Sequence, residues 1–130
     1  MLEVDPSSVG TLIHTLWECP VIESFWNEIH NCIVAMTRVD FPFCPRLYIL
    51  GDPKQVAHCE YADFILTAIM IGRQVLMRGW KKAGSPSFQE WYGEIGRVAA
   101  YEEMIYRRTD RMDKYIRKWG GFIMCMANRT

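Results

Sequence analysis

The sequence predicts a small, mainly α-helical domain of about four to five helices, with a proline-rich loop at 40–54. Three observations carry this. Apolar residues recur three and four positions apart through most of the chain, the period of a helix with one buried face. Half of the 130 residues are apolar and 13% are aromatic, enough for one real core and too apolar for a disordered tail. From Pro20 onward the prolines stand at the ends of the periodic stretches or between them, where they act as boundaries.

Thr11 is placed to cap a short first helix through Trp17, which Pro20 ends while starting the next. That next helix is predicted over Pro20 to Thr37, with Val21, Phe25, Ile29 and Ile22, Trp26, Ile33 forming a wide apolar face and Glu23, Asn27 and Glu28 opposite. Pro42, Pro45, Gly51 and Pro53 predict a loop containing at most an extended piece at Leu47 to Leu50. A long helix starts near His58 or Glu60 and ends by Gly84, with Phe64, Ala68, Ile71 and Val75 on one side and Ile65, Ile69 and Leu76 beside them. Gly72 would let a neighbouring helix come close. Ser85-Pro86 reads as an N-cap and first-position proline, followed by Trp91, Ile95, Val98, Glu102 and Ile105 at helical spacing. Gly93 and Gly96 in that stretch read as a packing notch. Asp110 would cap a last helix with Met112, Ile116 and Trp119 inward, stopping at Gly120-Gly121 before a tail at 120–130.

Net charge is zero, but its distribution is uneven. Nine acids face only Arg38, Arg46 and Lys54 up to Asp63, a balance of −6, whereas twelve bases face six acids from Phe64 onward, a balance of +6. A polyanion would favour the second half. Five cysteines (19, 32, 44, 59 and 125) at irregular spacing, with no apolar leader after Met1, point to a reduced intracellular setting, cytoplasmic or nuclear. The most apolar run, Ala62 to Gly72, falls short of the ~20 residues that span a bilayer, so no membrane partner is expected.

His14 and Cys19 stand in an H-x4-C spacing that supplies two ligands where a structural zinc takes four. His30, Cys32, Cys44 and Cys59 are the nearest replacements, and none forms a C-x2-C pair, so neither metal nor other cofactor is expected. Cys32 reads as a core thiol, and Cys59, beside His58 at a helix start, has no paired base nearby. Glu102-Glu103 and Asp110/Asp113 sit among arginines, as salt-bridged helix faces do. Phosphate-binding glycine loops, nucleophile elbows, H-E-x-x-H and polymerase-type aspartate pairs are missing, which predicts a protein that is not an enzyme and takes no small-molecule substrate.

The constellation that remains is basic and aromatic. Arg107, Arg111, Lys114 and Lys118 would lie along one face if their helix were continuous, with Arg108 and Arg117 widening the patch and Tyr115 and Trp119 adjoining. Four phosphate contacts on a single strand give a salt slope of about −3, and an exposed ring stacks a base for ~1–3 kcal/mol. RNA or single-stranded DNA is the expected partner. The alternative is docking on a protein through exposed aromatics and methionines such as Met104, Met112 and Met124.

The half-site carries a resemblance. Gly10-Thr11-Leu12, His14, Trp17 and Cys19-Pro20, followed by Phe25-Trp26, resemble the segment that closes the zinc knuckle near the C-terminus of LINE-type retrotransposon reverse transcriptases, where a C-x2-3-C pair precedes it. The similarity continues through Ile29-His30-Asn31-Cys32, Phe43 to Asp52, Phe64 to Ala68 and on to Trp80-Lys81, Phe88 to Trp91, and Lys118-Trp119-Gly120. It covers nearly the whole chain from Val9. The resemblance implies one domain: a non-matching lead at 1–9, a half-knuckle remnant at 10–19, a helical body at 20–119 and a tail. It further implies that polymerase and endonuclease domains lie upstream of the matching region and are absent here. What remains would be a non-catalytic remnant that helps hold nucleic acid, or a translated relic with no function. If the missing domains once covered Phe64 to Leu76, that helix would be exposed and self-associate.

Overall fold

A computed structural model describes residues 16–81 and 86–127. Among these residues the protein is helical with no strand, a small all-α domain as the periodicity predicts. After a helical stretch at 16–18, helix α1 spans Pro20–Thr37. A single turn, α2, covers Pro45–Tyr48, and a 3-10 turn covers Pro53–Gln55. Three long helices follow: α3 at Ala62–Lys81, α4 at Phe88–Arg108 and α5 at Met112–Ala127. No helix among the described residues is long and apolar enough to cross a membrane.

Helix α1 begins at its predicted proline and buries Ile22, Phe25, Trp26, Ile29, Ile33 and Met36. Val21, expected inward, is 50% exposed because those six residues define an arc that excludes it. Arg38 closes the helix in the left-handed conformation, φ 57°, its N–H returning to the Val34 carbonyl at 2.7 Å.

The loop at 40–54 holds a turn of helix where an extended piece was expected. Pro45 has the fixed φ that opens a helix, and the N–H groups of Ile49 and Gly51 close on the carbonyls of Pro45 and Leu47 at 2.8 and 3.0 Å. Gly51, at φ 69°, ends the turn. The turn drives Leu47 and Tyr48 wholly into the core. Asp52 caps the following 3-10 turn by accepting the Lys54 N–H at 3.1 Å.

Helix α3 is the central element. Tyr61 sits at φ 63°, a left-handed geometry that a helix cannot pass through, so α3 starts at Ala62 and leaves His58, Cys59 and Glu60 in the preceding turn. Phe64, Ile65, Ala68, Ile69, Ile71, Val75 and Leu76 are all buried. The sequence-based expectation of a sticky exposed helix is therefore corrected: α1, α4 and α5 cover this row. Trp26 of α1 crosses at Gly72, where an added Cβ would lie 2.7 Å from the indole. Trp91 of α4 donates its indole N–H to the Ala68 carbonyl at 2.9 Å, and Trp119 of α5 meets Phe64 edge to face, centroids 5.2 Å apart.

The cap of α4 is Ser87, not Ser85, which lies outside the described residues. Ser87 Oγ accepts the Glu90 N–H at 3.3 Å, and the S-x-x-E spacing is that of a capping box. Trp91, Ile95 and Ala99 face inward, whereas Ile105 is exposed. Among the described residues Gly93 and Gly96 form no packing notch, since none of these residues would lie within 4 Å of a Cβ at either. Asp110, at φ 59°, terminates α4 instead of capping α5, with the Arg111 N–H reaching back to the Tyr106 carbonyl at 2.8 Å.

Helix α5 returns antiparallel along α4. The pairs Tyr115–Ala99 and Lys118–Glu102, at 3.1 and 2.9 Å, and Tyr92–Met126 at 3.0 Å fix that register. Tyr115, Trp119 and Phe122 face inward, while Ile116, expected there, is 56% exposed. The helix also runs through Gly120-Gly121, where a stop was predicted, and on to Ala127. Gly121 is used for contact: an added Cβ would fall 2.6 Å from the Met36 carbonyl oxygen at the end of α1.

His30 joins an aromatic cluster with Phe41, Phe43 and Tyr48, sharing a 2.7 Å hydrogen bond with the Tyr48 hydroxyl. Burial lowers the His30 pKa from its ordinary 6.5, with Asp40 opposing. Burial also raises that of Tyr48, with Cys44 adding to the effect. The unfolded chain thus takes up the imidazole proton first. Stability from this site is expected to be full above pH 6.5 and to be lost as pH falls below it through the lowered folded value. Thermal melts of wild type and His30→Gln across that window should show the acid loss diminished in the variant; identical pH profiles would assign it elsewhere.

Candidate nucleic-acid interface

The turn at Thr109–Arg111 breaks the basic stripe. Arg107 lies at the end of α4, Arg111 in the turn, and Lys114 and Lys118 on α5, so the four cations share no continuous helix face. Several are already engaged. Arg107 pairs with Glu103 at 2.8 Å and Arg117 with Asp113 at 3.1 Å, both exposed i,i+4 pairs, of the kind usually worth ~0.3–0.5 kcal/mol. Lys118 donates to both oxygens of Glu102, at 2.9 and 3.2 Å, and its side chain is only 17% exposed. The Arg111 guanidinium donates to Thr109 Oγ1 at 3.2 Å and lies 5.5 Å from the centre of the Tyr106 ring. Arg108 and Lys114 are exposed.

The two aromatic residues assigned to base stacking are interior residues. Trp119 is fully buried and donates its indole N–H to Glu102 at 3.1 Å. Tyr115 is buried, and its hydroxyl donates to the Ala99 carbonyl at 3.1 Å. Burial raises its pKa, with the charges of Glu103 and Glu102 adding to the shift. Glu102 thus ties Lys118 and Trp119 to α4, and neither ring presents a face to a ligand. That part of the sequence-based site is corrected.

What the fold assembles instead is a cleft of about 410 Å³ at one end of the helix pack. Tyr61, Ala62 and Asp63 supply one wall at the start of α3, Tyr106 of α4 another, and Lys114, Arg117 and Lys118 of α5 the third. The cations stand at i, i+3 and i+4, which brings them to one helix face. Three of the predicted basic residues therefore converge, while Arg107, Arg108 and Arg111 do not line the cleft. Tyr61, Asp63 and Tyr106 went unread in the sequence. Tyr106 has a local signal, an aromatic directly before Arg107-Arg108, but Tyr61 is forty-five residues away and only the fold brings it there.

The metal half-site is only partly within reach, because His14 lies outside the described residues. Cys19 precedes α1, and none of the five cysteines, all among the described residues, forms a disulfide. Among the described residues no group of three or more His, Cys, Asp or Glu side chains is arranged to hold a metal ion. Glu103 and Asp113 pair with the neighbouring Arg107 and Arg117, as the sequence predicts, whereas Glu102 pairs with Lys118 across the helix contact. Of the methionines singled out for protein docking, Met104 and Met124 are exposed, and Met112 is partly buried against the core. No family model matches the chain, and no solved structure matches it.

Proposed function

We propose that the protein is a non-catalytic remnant of the C-terminal region of a LINE-type reverse transcriptase that binds RNA or single-stranded DNA weakly and without sequence preference. The observation that supports binding is the cleft, where three cations from one face of α5 and the rings of Tyr61 and Tyr106 border the same space. Cations neutralise phosphate, and the part of each half-buried tyrosine that borders the cleft offers an aromatic surface to any base, a combination that tolerates sequence. Origin in such an element rests on the residue resemblance from Gly10 to Gly120.

The broken stripe changes the expected strength. Lys114 and Arg117 are exposed, whereas Lys118 is held by Glu102, so two contacts replace the four a continuous helix would allow. The log–log salt plot for a single strand should then have a slope of about −1.4 instead of about −3. Replacing both Lys114 and Arg117 by Gln should flatten it nearly to zero, with the circular dichroism spectrum unchanged. Absence of salt-dependent retention of either RNA or single-stranded DNA by the wild type would refute binding at this cleft.

A further inference from the structure

Two exposed surfaces outside the basic cleft have opposite charge and matching apolar content. On α4, Arg97, Tyr101, Met104, Ile105 and Arg108 recur at i, i+4, i+7, i+8 and i+11, which is one helix face. All five are exposed, Tyr101 by 61%. An apolar triad is thus bracketed by two guanidiniums. From Glu94 to Arg108 this face holds one carboxylate, that of Glu94, and Arg97 and Arg78 already pair with it, so the balance there is positive. On α1, Pro20, Val21, Ser24, Phe25 and Glu28 border, together with Pro86, a groove of about 400 Å³. Its lining is mostly apolar and includes no cation. Glu28 stands on its rim and Glu23 is exposed on the same helix, while α1 holds neither Lys nor Arg.

We infer that the groove receives the α4 face of a second copy of this chain. The Tyr101 ring enters against Pro20, Val21 and Pro86, with Met104 and Ile105 at the edge, and the bracketing arginines meet Glu23 and Glu28. Tyrosine and arginine are the side chains that most often dominate such contacts, because a ring fills an apolar pocket while guanidiniums satisfy carboxylates at the rim. Charge complementarity selects the occupant: the acidic first half of the chain meets the basic second half of another copy. Knob and groove are different surfaces, so every copy carries both.

Sedimentation equilibrium of the full chain from about 10 μM to 1 mM reads this contact, which is of the small, transient class. The average mass should rise with concentration, and less so in high salt, which screens the rim charges. Tyr101→Ala should weaken association at least about tenfold. Two charge-reversed variants, Glu23→Arg with Glu28→Arg and Arg97→Glu with Arg108→Glu, should each weaken it about tenfold, with helical circular dichroism retained. Mixed in equal amounts, these two should associate again, since each then finds an opposite face on the other. The Lys114→Gln, Arg117→Gln variant of the cleft should associate like the wild type. A single mass at every concentration overturns the proposal, as does self-association that survives both charge reversals or that the mixture fails to restore.

Discussion

Replacing Trp26 by alanine is expected to destabilise the protein by ~3–5 kcal/mol, a large part of what holds a small domain together. The indole is fully buried. It meets Tyr48 edge-on at 5.0 Å and Phe25 at 5.2 Å, and it covers Gly72 on α3. Alanine would leave a void at the junction of α1, α2 and α3, and the Gly72 backbone offers no side chain to fill it. One opposing contribution reduces the loss: the Trp26 indole N–H has no hydrogen-bond partner among the described residues, and an unpaired buried donor costs ~1–3 kcal/mol. Trp26→Phe keeps most of the ring and discards that donor, so it should cost well under half as much. Glu28→Ala, on the exposed side of the same helix, should stay within ~0.5 kcal/mol. Urea unfolding of the three variants decides the matter, and coincident transitions for Trp26→Ala and Glu28→Ala would mean that the inward face of α1 is wrongly assigned.

The parts of the fold that could be read in advance are those decided by local rules. Periodicity placed α1 at its observed ends, because Pro20 opens it and the apolar arc lasts to Met36. The same rule identified Trp26 and the Phe64 to Leu76 row as core. Where tertiary contacts decided, the local reading failed. Gly120-Gly121 has the composition of a helix stop, yet the approach of α1 makes it a contact surface, and the apolar residues beyond it continue the helix. Gly93 and Gly96 fail in the opposite sense, as glycines that no neighbour among the described residues approaches. The site divides the same way. Lys114, Arg117 and Lys118 were legible as a basic cluster, but the break at Asp110, with its positive φ, was not, and neither was the burial of Tyr115 and Trp119. Tyr61 enters the cleft only because α3 begins where α4 ends and α5 starts.

The glycines of α4 and α5 provide a test in which one substitution should have opposite signs. Within a helix, Gly→Ala is ordinarily favourable by ~1 kcal/mol, since alanine has less backbone freedom to lose and the better helix propensity. Gly93→Ala and Gly96→Ala should realise that gain, because none of the described residues lies within 4 Å of the new methyl. Gly121→Ala faces the same local preference against a collision: its Cβ would stand 2.6 Å from the Met36 carbonyl oxygen and 3.2 Å from the carbonyl carbon. These are backbone atoms at the end of α1, so no rotamer change relieves the contact. Either α5 moves out, loosening Trp119 and Phe122 in the core, or the last turn of α1 gives way, including the Thr37 hydroxyl's 2.8 Å donation to the Ile33 carbonyl. Overpacking of this kind costs ~1–3 kcal/mol, and against an unyielding backbone the upper part of that range applies. After the helix-propensity gain, a net loss of about 2 kcal/mol is expected, with Gly121→Val worse than Gly121→Ala. Melting temperatures should therefore rise for the two α4 variants and fall for both α5 variants. A stabilised Gly121→Ala would show that α5 does not press on α1 at Met36.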